Sequence, residues 1–140
     1  MTVAFELFTV GLAPVDEVWG RVSDPWRLTE WTDAEQVERV NGDPMRVGSE
    51  IVVVTDGQRL LWRVDTVEPR LWEASADVPA GRLHLGVRVA RDPLGTRLIL
   101  AALLEPSRSA WRARLLTVPA LRRRLERWCE AALRPDGAAQ

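Results

Sequence analysis

The 140-residue chain has the length of one ordinary domain, and its 46% hydrophobic residues are enough to bury a substantial core. It contains no apolar run of the roughly 18 residues that span a bilayer, and its N-terminus lacks the basic and apolar regions of a secretory signal. The single cysteine excludes an intramolecular disulfide and a cysteine-only metal site, and the net charge is −1. We expect a cytoplasmic protein with one domain over residues 1–135 and a frayed tail over residues 136–140.

The first part of the chain predicts one strand followed by two short helices. Residues 2–10 are rich in β-branched and aromatic residues, as strands are. Pro14 suits the first turn of a helix that continues to about Val22. Asp24 can cap a second helix over residues 25–31.

The middle of the chain predicts six strands joined by tight turns. Apolar and polar residues alternate here with the period of two that is typical of strands. Asp56 and Gly57 form a two-residue hairpin signal, and clusters of Pro, Gly and Asp mark other turns. Strands joined in this way are antiparallel neighbours. The predicted strands cover residues 35–40, 48–55, 58–67, 71–78, 82–91 and 96–105.

The last segment predicts a long amphipathic helix over residues 109–133, which Pro119 should kink or restart. One side is basic, and the other is an apolar stripe that must be covered. A sheet of seven strands with one apolar face can curl around a single such helix. We therefore predict an α+β fold in which a curved antiparallel sheet wraps around the C-terminal helix, with two short helices between strands 1 and 2. The stripe consists of Leu121, Leu125, Trp128, Cys129 and Ala132.

Two segments carry a family resemblance. Residues 13–31 contain Ala-Pro-Val-Asp-Glu-Val-Trp and then Ser-Asp-Pro-Trp-Arg-Leu-Thr-Glu-Trp, while residues 62–72 spell a strand, a Pro turn and a second strand. Both resemble the START-like superfamily (SRPBCC), which includes polyketide cyclase/dehydrase-type and Bet v 1-like proteins. The resemblance implies a helix-grip fold with an apolar cavity between the sheet and the terminal helix. It also implies that the ligand is a lipid, polyketide, hormone or other small apolar molecule.

Seven tryptophans dominate the aromatic residues, because the chain has two phenylalanines and no tyrosine. Small-molecule sites are mostly apolar concavities, so tryptophans near the implied cavity are candidate ligand contacts. The alternative for each is a large side chain that fills the core, and we assign Trp19 and Trp128 to that role. The candidate ligand-binding residues are Trp26, Trp31, Trp62, Trp72, Trp111 and Leu115.

His84 is the only histidine and therefore the one side chain whose type suits proton transfer near neutral pH. It alternates with Leu83 and Leu85, so we expect it on a solvent-facing side of its strand. It is a candidate general acid or base only if that face turns inward. The sequence also lacks a GxSxG motif, a phosphate-binding glycine loop and a zinc-ligand spacing, so we expect no metal and no cofactor.

The basic side of the terminal helix has two interpretations. Its arginines are either the solvated side of a structural helix or a surface for transient contact with an anionic membrane. Nucleic acid is not an expected partner. The residues concerned are Arg122, Arg123, Arg124 and Arg127.

The function that we expect is binding of a small hydrophobic molecule, lipid-like or polyketide-like, by a carrier or sensor. Arg63, His84 or Glu30 would then orient the ligand. The alternative is a polyketide cyclase/aromatase or dehydratase that folds its substrate in the same cavity and positions one acid or base. The scarcity of side chains suited to catalysis favours binding, while a regulatory domain that binds another protein stays open.

Overall fold

The computed structural model describes residues 3–42, 45–79, 81–106 and 111–135, with the backbone alone for residues 3, 106 and 111–118. The predicted tail over residues 136–140 lies outside the described residues. The helices are α1 (Val15–Val22), α2 (Leu28–Trp31, after a 3₁₀ turn at Pro25–Arg27) and α3 (Trp111–Ala132). The strands are β1 (Val3–Gly11), β2 (Gln36–Asn41), β3 (Glu50–Thr55), β4 (Gln58–Glu68), β5 (Leu71–Val78), β6 (Gly81–Asp92) and β7 (Gly95–Pro106).

The seven strands of the described chain form one antiparallel sheet in the order β1-β7-β6-β5-β4-β3-β2. Strands β2 to β7 pair with their sequence neighbours, whereas β1 pairs with β7, where Leu7 lies opposite Leu100. The register shifts in β2 between Val37 and Arg39 and in β4 between Val64 and Thr66. Such bulges bend a strand and increase its twist.

The strand order places β1 and β2 at opposite edges of the sheet. Helices α1 and α2 lie between these two strands in the chain and connect them.

The predicted apolar faces meet in the core. Alternate residues of β5 and β6 are buried, including Trp72, Ala74, Leu85 and Val87. From α3, the stripe residues Leu125, Cys129 and Ala132 are buried in the same cluster. The predicted α+β, helix-grip architecture with a seven-stranded curved sheet around the C-terminal helix is confirmed. Helix α3 runs without interruption through Pro119, so it does not restart there, while a kink at that residue stays a prediction.

Buried hydrogen bonds hold the first helix against the rest of the fold. The guanidinium of Arg21 donates to the carbonyl oxygen of Ala132 and, over 2.8 Å, to that of Arg134. The indole of Trp72 donates from Nε1 to the carbonyl oxygen of Val22 over 2.9 Å. Ala132 and Val22 are the last residues of their helices, so two of these bonds supply donors to carbonyls that have no partner within their own helix. They fix α1 against both the C-terminal end of α3 and the sheet.

Candidate ligand cavity

A cavity of about 120 Å³ lies between the concave face of the sheet and α3. Its walls come from α2, from strands β3 to β6 and from the part of α3 that follows Pro119. Nearly all of the lining is apolar, because the inward side chains of alternating strands meet the stripe of the helix. The lining residues on which the following argument depends are Trp31, Trp62, Trp72, Leu121, Arg124 and Trp128.

A groove of about 370 Å³ adjoins the cavity. Leu60, Leu83 and Leu121 line both spaces, so the two are neighbours. The groove is bounded by Asp56 in the β3–β4 turn and by Pro79 in the β5–β6 turn.

Arg124 stands where the cavity meets the groove and lines both. Its Nε lies 2.7 Å from Oδ2 of Asp33, which follows α2, and its Nη2 lies 3.1 Å from Oδ2 of Asp56. The two ion pairs connect α3 to the segments on either side of the mouth. Each is partly exposed, so each contributes about 0–1 kcal/mol to stability. Their chemical effect is to pair the guanidinium that borders the apolar space with two carboxylates.

Two indoles meet beside the cavity. Trp31, which is 1% exposed, packs edge to face with Trp128, with ring centroids 6.1 Å apart and planes at 84°. This is a favoured aromatic geometry. The Nε1 atoms of both rings are buried and have no hydrogen-bond partner in the described structure. A buried donor without an acceptor costs about 1–3 kcal/mol.

The structure brings together three of the six predicted ligand contacts, since Trp31, Trp62 and Trp72 all line the cavity. Trp26 is 50% exposed and is absent from the lining, because the 3₁₀ turn buries Pro25 and directs the next side chain outward. The side chains of Trp111 and Leu115 lie outside the described residues. Contact of any of these residues with a ligand stays a prediction.

Among the lining residues that the sequence did not predict, two carry large polar or aromatic groups. Trp128 was assigned to the core, but its ring also faces the cavity. The sequence predicts Arg124 on the basic side of α3, yet it lines the cavity as well. The spacing held a signal for both, because positions three, four and seven residues apart share a helix face. Arg124 follows Leu121 by three residues and precedes Trp128 by four.

His84 lies on the outer face of the sheet, as its alternation predicts. Its Nε2 is 3.0 Å from Oε1 of Glu105, and in the register it lies opposite Ser75. With Glu6 and Glu73 it borders a depression of about 670 Å³ that faces away from α3. The inward orientation that acid–base chemistry in the cavity would require is therefore not observed.

The other two side chains expected to orient a ligand do not line the cavity either. Arg63 lies 3.3 Å from Glu50, and Glu30 lies 2.8 Å from Arg27, both near the surface. Both therefore lie away from the cavity lining, and a role for either in orienting a ligand stays a prediction. Within the described residues, no group of three His, Cys, Asp or Glu side chains could hold a metal ion.

The basic side of α3 is only partly available to a partner. Arg124 is engaged at the mouth, and Arg122 pairs within the helix with Glu126 at 3.5 Å. Arg123 and Arg127 are exposed, the latter 4.0 Å from Asp33. Contact with an anionic membrane stays a prediction. In the part of the chain that the structure describes, no helix is both long and apolar enough to cross a bilayer.

Comparisons with known proteins agree with this geometry. A family model described as "Polyketide cyclase / dehydrase and lipid transport" matches residues 5–134. A search of curated proteins finds no match. Among solved structures, Ara h 8.0201 is similar with a TM-score of 0.73 and 12% identity, covering 94% of this chain and 96% of the other.

Two further structures show the same fold. Protein NE0264 from Nitrosomonas europaea has a TM-score of 0.70 and 16% identity, covering 92% of this chain and 90% of its own. A point mutant of norcoclaurine synthase from Thalictrum, solved with a transition-state analogue, has a TM-score of 0.70 and 14% identity, covering 95% and 92%. At these identities the likeness concerns the fold alone.

Proposed function

This chain belongs to the polyketide cyclase/dehydrase and lipid transport family of the START-like, Bet v 1-like superfamily, and on that premise we propose that it binds one small hydrophobic molecule beneath α3. The observation that carries the proposal is a nearly all-apolar cavity with a groove beside it. Burial of apolar surface would supply the affinity, at roughly 25 cal/mol per Å². The role is that of a carrier or sensor of a lipid-like or polyketide-like compound.

The sizes of the two spaces constrain the ligand. The cavity, at about 120 Å³, is close to the roughly 150 Å³ of an engineered apolar cavity that takes benzene. One ring or a short branched chain therefore fits inside. The remainder of a larger molecule would occupy the groove of about 370 Å³.

The lining supports binding more than catalysis. Among the described lining residues, Arg124 is the one ionisable side chain, and two aspartates pair with it. A cyclase or dehydratase needs a positioned acid or base at the substrate. Native mass spectrometry of freshly purified protein separates the two functions: a carrier releases its co-purified ligand unaltered, whereas an enzyme releases a changed one. The expected cytoplasmic location stays a prediction.

Titration with the neutral fluorophore N-phenyl-1-naphthylamine tests the binding site. We expect saturable probe emission together with quenching of tryptophan fluorescence, since Trp31 and Trp62 border the cavity. Ala74→Leu adds bulk inside the cavity and should weaken binding at least about tenfold, which corresponds to about 1.4 kcal/mol. Ala101→Leu adds the same bulk on the outer face and should leave the affinity unchanged. Absence of saturation, or equal loss in both variants, would contradict the proposal.

A further inference from the structure

We infer that the side chains of Leu60, Leu83 and Leu121 form a partition inside the proposed site, and that this partition selects compact ligands over long ones. The inference rests on the proposed function and adds to it the size class of the ligand. It starts from the two linings, because these three leucines border both the cavity of about 120 Å³ and the groove of about 370 Å³. Side chains that line two neighbouring spaces lie between them.

The three leucines reach the partition from different parts of the fold. Leu60 lies in β4, Leu83 in β6 and Leu121 in α3, so the sheet and the helix both contribute. All three are half-buried. Leu85, on the same face of β6, lines the cavity and not the groove, whereas Leu104, which pairs with Leu83 in the register, lines the groove and not the cavity. The boundary between the two spaces therefore follows Leu83.

The sizes of the two spaces indicate that the partition divides a single site. Small-molecule sites usually have volumes of about 300–1,000 Å³. The cavity is smaller than this range, but the cavity and the groove together fall within it. A ligand that fits the cavity leaves the partition in place, while a longer ligand must push the leucine side chains aside.

Displacement of the partition is possible but unfavourable. A leucine side chain moves by changing between staggered rotamers. Each displaced leucine loses the dispersion contacts of its present position, which are individually small but add up over a whole side chain. This loss offsets the free energy that a long ligand gains from its own burial, so added length ceases to raise the affinity once the cavity is full.

Straight-chain alcohols from 1-butanol to 1-dodecanol test this inference by isothermal titration calorimetry. Each added methylene that is buried should lower the dissociation constant about fourfold, which corresponds to about 0.8 kcal/mol. The hydroxyl group is common to the series and does not affect these steps. Because an apolar cavity of about 150 Å³ takes benzene, the cavity of about 120 Å³ should be full at about six carbons. We expect the fourfold steps to stop near 1-hexanol in the native protein.

Truncation of the partition should remove this limit. In Leu83→Ala the cavity joins the groove, so the fourfold steps should continue beyond 1-decanol. Leu104→Ala removes the same atoms from the paired residue but enlarges only the groove, so its steps should still stop near 1-hexanol. Leu85→Ala enlarges only the cavity and should move the limit by about three carbons. Leu121→Ala opens the partition from α3 and gives a second test if Leu83→Ala does not fold.

The outcomes separate this inference from the proposed function. If no alcohol of the series binds to the native protein or to any variant, the proposed function itself is wrong. Only the partition is overturned if the native protein shows no limit up to 1-dodecanol. The same holds if Leu83→Ala and Leu121→Ala keep the limit of Leu104→Ala, or merely move it as far as Leu85→Ala does.

Discussion

Gly11 and Leu133 are packed so closely that a Cβ atom added to the glycine would lie 2.7 Å from the Cβ atom of the leucine. Gly11 ends β1, and Leu133 follows the last residue of α3 and is buried. The absence of a side chain at Gly11 therefore allows the end of the terminal helix to approach the edge strand. We expect Gly11→Ala to lower the free energy of unfolding by about 1–3 kcal/mol through overpacking, as measured by urea denaturation.

A second glycine provides the control. Gly20 lies in α1, is exposed, and has no atom within 4 Å of an added Cβ. Gly20→Ala should raise the free energy of unfolding by about 0.5–1 kcal/mol, because alanine has the higher helix propensity. Effects of the same sign in both variants would show that contact with Leu133 is not the cause.

Arg21 should be required for stability although it is charged. It is 4% exposed, and its guanidinium is a donor to the carbonyl groups at the end of α3. Arg21→Gln should lower the free energy of unfolding by about 2–3 kcal/mol, and Arg21→Lys by less, because a cation remains beside the helix C-terminus. The control is Arg59→Gln, which removes an exposed ion pair with Glu38 and should change stability little. Equal losses at positions 21 and 59 would contradict this role.

Stability at alkaline pH should depend on one thiol. Burial raises the pKa of Cys129 to about 11, above its ordinary value of 9.0, because desolvation disfavours the thiolate. The unfolded chain thus loses this proton at a lower pH than the folded protein. Stability should be constant up to about pH 9 and then fall towards pH 11, by at most about 1.4 kcal/mol per pH unit.

The composition makes that measurement selective. Cysteine, tyrosine and lysine are the side chains that ordinarily titrate between about pH 9 and 11. The chain has one cysteine, no tyrosine and no lysine, so Cys129 is the side chain expected to titrate in this range. Cys129→Ala should therefore abolish the slope, whatever its effect at pH 7. A slope that persists in this variant would assign the pH dependence to another group.

The ion pairs of Arg124 should slow ligand binding. They connect α3 with Asp33 and Asp56 across the mouth. In stopped-flow experiments with N-phenyl-1-naphthylamine, Arg124→Gln should raise the association rate constant severalfold. Added salt should raise the association rate constant of the native protein by screening these ion pairs, but it should leave that of the variant unchanged. Arg122→Gln breaks only a pair with Glu126 and serves as the control; identical behaviour of both variants would exclude a gate at Arg124.

Association with anionic membranes should be weak and confined to low salt. Each arginine near an anionic surface contributes about 1 kcal/mol. In the described contacts Arg122 and Arg124 form ion pairs at 3.5 and 2.7 Å, whereas Arg127 has a carboxylate only at 4.0 Å and no ion pair is described for Arg123. We expect co-sedimentation with phosphatidylserine vesicles at about 10 mM salt and its loss near 150 mM, where screening is strong. Arg123→Gln combined with Arg127→Gln should abolish it. Binding that persists in this double variant would have to use another surface.

The sequence predicted the fold well because alternation records which side of a strand faces the core. In β5 it predicts Trp72 and Ala74 on the inner face, and both are buried there. Alternation does not report what covers the outer face. Ser75 points outward but is 2% exposed, since the long side chain of Arg82 lies over it and donates to its hydroxyl oxygen over 3.2 Å.

The site was harder to predict than the fold. Contacts such as that between Arg124 and Asp56 join residues 68 positions apart, and no local period marks them. The direction of Trp26 depends on a 3₁₀ turn of three residues, where the expected helical period does not apply. The sequence predicted correctly that Trp31 and Trp128 lie in helices. It could not predict that their Nε1 atoms lack hydrogen-bond partners, because that depends on the position of every neighbouring side chain.

The pairing of β1 with β7 also has a consequence for the order of assembly. Strands β2 to β7 can form one hairpin after another as the chain leaves the ribosome, because each meets its partner across at most eight residues of chain. The first strand to be synthesised must wait for the last one, and loop-closure entropy makes such distant pairing slow. Until then the edge of β7 is exposed to other nascent chains, so the interval before β1 docks is when this protein is most prone to aggregate.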